Sequence, residues 1–566
     1  MMMKTKHIFL ILVFCTISFF TASAQQWGDY TLYSGMNSTT TTLLDTLSAT
    51  YHTWNHGTKQ TGYSTYLLPG GTLVRTVKAT GVSFTGGPIC GEIQKVDYAG
   101  NVTWDYVYST TNYCTHHDLL PMPNGNVMVI AYERKTAAEV TAAGCTSFAA
   151  ESWPEKIVEI MPTGATTGTV VWEWHAWDHL MQSTSASLAN YQSSIVNHPE
   201  LINVNLMTQK DWMHMNGLDY NPILDQVTFT CHNLSEQFII DHSTTTAEAA
   251  GHTGGNSGKG GDLLYRWGKP GNYGAAGTQI LNVCHDAHWI PEGVPNAGNL
   301  VAFNNNGVPA SMTSSYVDSY TPPVNGYNYN LTLGSAYTPG TYSSRITTTG
   351  HTSNMGNSQQ LPNGNKLICV ALTGLIYEVN PANTTIWSYT ASGSIPQAFR
   401  YDACYLNNPA PAIPTVTENA GTLSSTSATT YQWYMNGQLI AGATSQTYTP
   451  TSDGIYLVRI TDANGCVYEY STGYHFTMSS IGITENALSN NISIYPNPST
   501  GIVSFDNSYL SGKNYDVSVY DIVGKLIVKE KNTNKINLLQ QMNGVYFITI
   551  AVEKGETVTK KVSLLK

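Results

Sequence analysis

The sequence predicts an all-β protein: a six-bladed β-propeller followed by two small β-sandwich domains. Three observations lead there. Charged residues make up only 11% of the 566 residues, well under the roughly 25% of an average soluble domain. The 36 Tyr and 12 Trp, with many Thr, Ser, Asn and Gly, favour strands and turns over a helical bundle. A weak internal repeat runs through residues 25–408, which also hold 14 of the 16 His. Composition then shifts at a Pro-rich linker, Asn407-Asn408-Pro409-Ala410-Pro411-Ala412-Ile413-Pro414.

The repeat has an apolar residue, Pro, an Asn-Gly-Asn turn or a variant, a β run, and later a strand near a Trp. Tyr66-Leu67-Leu68-Pro69-Gly70-Gly71 leads to Trp104, and Leu120 to Asn126 leads to Trp172. Trp289-Ile290-Pro291 precedes Leu300-Val301-Ala302-Phe303, and Leu361-Pro362-Asn363-Gly364-Asn365 leads to Trp387. Asn-Gly supplies the positive-φ turn of a tight hairpin. Each unit is a small antiparallel sheet that cannot cover its own faces, and repetition at about 50–70 residues fits propeller blades. Five units are visible, and a sixth fits around Leu218 to Trp267. A β-sandwich array explains the strands but not the repeated turn and Trp.

The formal charge of −11 and the lack of basic runs in the main body exclude nucleic acid as a probable partner class. Residues 1–24 read as a secretory signal: Lys4 and Lys6, an apolar run, then Ala22-Ser23-Ala24. No other stretch is apolar enough to cross a membrane, so the protein is expected not to be integral to one. Export permits disulfides among Cys90, Cys114, Cys145, Cys231, Cys284, Cys369, Cys404 and Cys466, with pairing left open and Cys466 expected free. The absence of any C-x-x-C argues against a zinc knuckle.

Several stretches of the large region carry His beside Trp or Asp, or Arg beside Trp. They are Trp172-Glu173-Trp174-His175, Asp211-Trp212-Met213-His214-Met215-Asn216, Tyr265-Arg266-Trp267-Gly268, and His285-Asp286-Ala287-His288-Trp289. With Gln359-Gln360-Leu361-Pro362-Asn363-Gly364-Asn365, this set over residues 60–405 resembles the bacterial arylsulfate sulfotransferase family. The resemblance implies a six-bladed propeller that moves a sulfuryl group from a phenolic sulfate ester to a phenolic acceptor. It implies no nucleotide donor, no cofactor and a sulfo-histidine intermediate. Such chemistry needs several donors on one spot and a nucleophile that leaves again, both of which imidazole provides.

By that resemblance the catalytic candidates are His214, His285 and His351, with His351 as nucleophile or Asn354 in its place. Asn216, His116 and Arg266 are the substrate-binding candidates, and no metal site is expected. His175 and His179 are read as packed aromatic structure, and His288 as structural. The family's Arg, expected within residues 304–308, has no counterpart, and the chain carries none between Arg266 and Arg345. That departure sustains a competing reading, a catalytically inactive secreted propeller used for binding or adhesion. A quinone-dependent dehydrogenase propeller is disfavoured, because the region is too short for eight blades.

The two C-terminal units have different signatures. Tyr431-Gln432-Trp433-Tyr434-Met435-Asn436-Gly437 opens an immunoglobulin-like pattern, assigned with its linker to residues 409–486. Ile494-Tyr495-Pro496-Asn497-Pro498, Val519-Tyr520-Asp521 and Gly544-Val545-Tyr546-Phe547 mark residues 487–566. These resemble the C-terminal sorting domain of type IX secretion. The resemblance implies passage through the outer membrane by that machinery, then release or surface attachment.

Overall fold

The structure, a computed structural model, describes residues 26–407, 413–462, 468–478, 491–506, 508–553 and 557–566. The expected export signal and Cys466 lie outside the described residues. Two compact units divide the chain, the first holding residues 1–417, 424–448 and 455–474 and the second residues 418–423, 449–454 and 475–566.

In the first unit six four-stranded antiparallel sheets form the blades of a propeller. Blade two is Thr61–Leu68, Thr72–Lys78, Gly91–Val96 and Val102–Val107, and blade three is Tyr113–Pro121, Val127–Glu133, Glu155–Gly164 and Thr167–His175. Blade four, Met215–Asn221, Gln226–Cys231, Glu236–Asp241 and Tyr265–Trp267, occupies the stretch where the sixth repeat is expected. Blade five is Cys284–Trp289, Leu300–Asn304, Tyr316–Tyr320 and Ser344–Thr347, and blade six is Asn357–Gln360, Lys366–Val370, Leu375–Val379 and Thr385–Thr390. Blade one joins the two ends of the region: Tyr30–Ser34, Thr40–Leu44 and Thr50–Asn55 take Ala398–Tyr401 as their inner strand. Tyr30 pairs with Tyr401 and Tyr33 with Ala398, so main-chain hydrogen bonds close the ring.

The Trp of the repeat fastens blade to blade. Each lies on an outer strand and donates its indole N–H to the next blade: Trp54 to Asp97 O (2.9 Å), Trp104 to Thr167 O (3.0 Å) and Trp172 to Thr244 Oγ1 (3.1 Å). Trp267 donates to Pro339 O (2.8 Å) and Trp387 to Ser48 Oγ (3.0 Å). A buried indole covers a large apolar area and satisfies its polar end at once, so one residue supplies both cohesion and register. Between blades two and three, Val74, Ile93 and Trp104 pack on Leu119, Val129 and Val158, all buried.

Six cysteines, Cys90, Cys114, Cys145, Cys231, Cys284 and Cys369, are buried free thiols, while Cys404 is disulfide-bonded. In the immunoglobulin-like stretch Thr430–Met435 pairs with the strand through Thr461, and Trp433 is fully buried with its indole on Ser445 O. In the second unit Gly544–Val552 sits in a four-stranded sheet and buries alternate residues, Tyr546, Ile548, Ile550 and Val552. These meet Val503, Phe505 and Ile536 of a three-stranded sheet in one core, the period-two pattern of a sandwich.

Candidate functional site

The inner strands of blades two to five each break register where they line the axis: at Thr61/Thr65, Thr115/Leu119, Met215/Gly217 and His285/His288. A bulge inserts unpaired residues and re-aims their side chains. His117 (φ 50°), Asp286 (φ 61°), and His214 (φ 57°) just before its strand adopt left-handed backbone, a strained geometry outside glycine that collects at functional sites. Blades four and five approach so closely that a Cβ on Gly217 would lie 2.7 Å from the backbone nitrogens of Asp286 and Ala287.

The bulges of blades three and five and the hairpin of blade four bring four imidazoles into a row. His117 meets His214 at 4.6 Å between ring centroids, His214 meets His232 at 5.1 Å, and His232 meets His285 at 5.6 Å. His116 extends the row: its Nδ1 is 2.8 Å from His117 Nδ1, and its ring stacks on Tyr132 at 3.6 Å. The hydrogen bonds fix the tautomers. His214 Nδ1 donates to Asp211 Oδ2 (2.6 Å), which also accepts from Tyr132 (2.9 Å), so a neutral His214 presents its Nε2 lone pair. His232 Nδ1 donates to Asn233 Oδ1 (2.7 Å), with the same result.

His116 Nε2 is buried without a partner among the described residues. An unpaired lone pair is tolerated there better than an orphaned N–H. The proton between the two rings therefore sits on His116 Nδ1, and His117 carries its own on Nε2, as a donor. His285 is occupied on both sides: Nδ1 on Asn305 Oδ1 (2.7 Å), Nε2 accepting from Met355 N–H (3.1 Å). Burial, reinforced by neighbouring imidazoles, holds His116, His117 and His285 well below the usual imidazole range and lowers His232 to about 4. These four rings are thus neutral at physiological pH, and His232 and Lys269 line an open cavity of about 440 Å³.

The next level of the channel is acidic. Asp118 accepts from Tyr66 Oη (3.0 Å) and Leu218 N (3.3 Å), Asp219 from Trp289 N (2.8 Å), and Asp286 from Ser358 N (2.7 Å). Each carboxyl thereby ties its blade to the next. Desolvation raises Asp118 to about 7 and Asp219 to about 6, and raises Asp286. A cavity of about 330 Å³ opens here, with Tyr66, Trp289, Phe399 and Tyr470 in its wall.

Of the sequence-derived candidates, His214 and His285 stand in the row and His116 at its end. His351 lies at the rim, its Nε2 3.0 Å from Asn306, next to the Asn305 that holds His285. Asn216 is buried between blades four and five, donating to Cys284 O (2.8 Å) and accepting from Thr230 (2.7 Å). Arg266 is packed inside the protein: both arms engage Glu236 (2.9 and 2.6 Å) and its third nitrogen reaches Leu201 O (3.1 Å), so it has no group left for a substrate. Arg345 is held by Asp318 (2.6 Å). His117 and His232 are members that the sequence reading did not select. His232 was within reach, because the hairpin that pairs Met215 with Cys231 places it opposite His214.

A β-propeller with a histidine cluster on its axis and a sandwich domain at its C-terminus is the class defined by fold and site. The chain belongs to the arylsulfotransferase family, whose model, Arylsulfotransferase (ASST), matches residues 50–398. A Secretion system C-terminal sorting domain matches residues 493–564, and the protein is accordingly a type IX cargo, secreted or held at the cell surface. No curated protein matches the chain. Among solved structures, a protein of unknown function from Bacteroides caccae is 9% identical, with 66% of this chain and 98% of that one covered and a TM-score of 0.37. The periplasmic gluconolactonase PpgL of Pseudomonas aeruginosa is 10% identical, with 66% and 98% covered and a TM-score of 0.36. Such low scores bear on neither substrate nor chemistry.

Proposed function

We propose that the protein transfers a sulfuryl group from a phenolic sulfate ester to a phenolic acceptor, with His214 as the carrier. The observation that carries this reading is the row from His117 to His285 with its fixed tautomers. His214 Nε2 attacks sulfur, the N–S bond forms, and the aryl O–S bond breaks. His117 Nε2–H protonates the departing phenolate. In the second half His117 takes the acceptor's phenolic proton, the acceptor oxygen attacks sulfur, and the N–S bond breaks. Asp211 holds the developing charge on His214, as a carboxylate does for an imidazolium. Lys269 stands in for the missing arginine as the cation for sulfate oxygens, and His285 positions the loop of His351. His351, expected from the resemblance as nucleophile, is the alternative carrier at the rim.

In this reading residues 25–408 form the transferase, 409–486 a linker and spacer, and 487–566 the sorting domain, removed or retained after export. The competing reading, a binding propeller without turnover, is favoured by one observation: Arg266 and Arg345 are both committed elsewhere.

The mature protein is tested with p-nitrophenyl sulfate, with and without phenol, following nitrophenol release. Phenol-dependent release that falls about 10³-fold or more in His214→Asn, while His351→Asn retains it, supports the assignment. The reverse pattern moves the carrier to His351. Release without acceptor signifies a sulfatase, and no release from several donors leaves the binding propeller.

A further inference from the structure

Away from the axis, between blades three and four, His179, His252 and Asp262 each offer one ligand atom, all within 4.8 Å of one another. We propose that they form a binding site for one divalent transition-metal ion, zinc being the ion that two imidazoles and a carboxylate suit best. No residue of the histidine row takes part, so the site stands whatever the row does.

The argument rests on where the protons go. His179 is fully buried, and its ring lies parallel to Trp174, centroids 5.5 Å apart. Its Nε2 is 2.8 Å from the carbonyl oxygen of Ala249, which only accepts, so Nε2 carries the hydrogen. In the neutral ring Nδ1 is then a bare lone pair. It faces Asp262 Oδ1, another acceptor, at 2.9 Å. His252 Nδ1 approaches the same oxygen at 2.7 Å. Two acceptors at contact distance need a cation between them, an extra proton or a metal ion. An ion serves all three groups at once.

The surroundings are those of a metal ligand. A ligating histidine ordinarily donates its other N–H to a carbonyl or carboxylate that fixes its tautomer, and Ala249 O is that partner here. Trp174 donates its indole N–H to Gly261 O (2.7 Å), pinning the residue before Asp262. At Gly261 a Cβ would collide with Ala249 O and lie 2.6 Å from His179 Nε2, so only glycine allows the approach. Tetrahedral zinc, with bonds of about 2.0–2.1 Å, holds its ligands about 3.3 Å apart; the two contacts to Asp262, at 2.9 and 2.7 Å, are within about half an ångström of that spacing, and the two imidazole ligand atoms lie within 4.8 Å of each other. The His252 side chain is 60% exposed, which leaves the fourth position to water. His179 follows the outer strand of blade three, whereas His252 and Asp262 belong to the glycine-rich loop before the outer strand of blade four. A bound ion would therefore cross-link two blades.

The test uses the full mature protein, stripped with chelator and dialysed against zinc or cobalt(II). We expect tight binding of one equivalent, ligand-field bands with cobalt, and a higher Tm with zinc. His252→Ala and Asp262→Asn should each weaken that equivalent at least 10-fold and lose the Tm rise. Metal-free Tm values of both variants, compared with wild type, establish that they fold. Absence of binding by the wild type, or binding unchanged in either variant, overturns the proposal; unchanged binding would mean that the metal sits elsewhere, the axial histidines included.

Discussion

Two levels of one channel are built from neighbouring residues and behave as opposites. His117 is followed by Asp118 inside one bulge, and His285, still paired with Phe303, is followed by Asp286 inside another. At the imidazole level the rings touch one another, and the Nε2 atoms of His117, His214 and His232 have no partner among the described residues. At the carboxyl level Asp118, Asp219 and Asp286 are spent on backbone N–H groups of the adjacent blade. The bulge is the device that separates them: it breaks the alternation of the strand, so one residue joins the imidazole row and the next stitches the ring. Polar character in a channel is thus no guide to chemistry; the fate of each lone pair is.

Paired substitutions break this comparison most sharply. His214→Asn should cost about 10³-fold or more in turnover with little change in stability. Asp118→Ala should invert the pattern. It strands Tyr66 Oη, Leu218 N and Gln397 Nε2, and should lower unfolding free energy by about 2–4 kcal/mol in urea titrations. Turnover per folded molecule should stay within about fivefold. If both variants lose only turnover, or both only stability, the two levels are not distinct. A smaller effect tests the sulfate cation: Lys269→Ala should raise the donor KM about tenfold with kcat nearly unchanged, since one charge-assisted hydrogen bond is worth about 1.5–3 kcal/mol. An unchanged KM would remove Lys269 from the site.

The blades were legible because each rests on local chemistry: an Asn-Gly-type turn, alternating apolar residues and a Trp at the outer strand. Closure was not. Ala398–Tyr401 reads as one more short strand, and nothing local states that it pairs with Tyr30–Tyr33, more than 360 residues earlier. The site was half legible for a similar reason. His214 and His285 sit in motifs, but His232 enters only through hairpin pairing, and His117 only because a bulge turns it inward. Arg266, a plausible sulfate ligand by type, is neutralised by Glu236, which lies 30 residues away and marks no motif.

The last way to sharpen the comparison is pH, because the two levels should tilt stability in opposite directions. His232 titrates near 6.5 when unfolded and about 4 when folded, burial being the main cause. Between those values the unfolded chain binds a proton that the folded one refuses, so this contribution is whole above pH 6.5 and is lost as pH falls toward 4. Asp118 runs the other way: its ordinary value of 3.8 rises to about 7 on desolvation. The folded state keeps a proton that the unfolded state has released, so this contribution is whole below about pH 4 and is lost as pH rises through 7. Urea midpoints measured from pH 4 to 8 should therefore carry two opposed slopes over nearly the same span, one rising with pH and one falling. His232→Asn should remove the slope that rises with pH and Asp118→Asn the slope that falls with it, each by about 2 kcal/mol across the range. If one substitution removes both slopes, the imidazoles and carboxyls titrate as a single coupled network, and the division into a chemical level and a structural level fails.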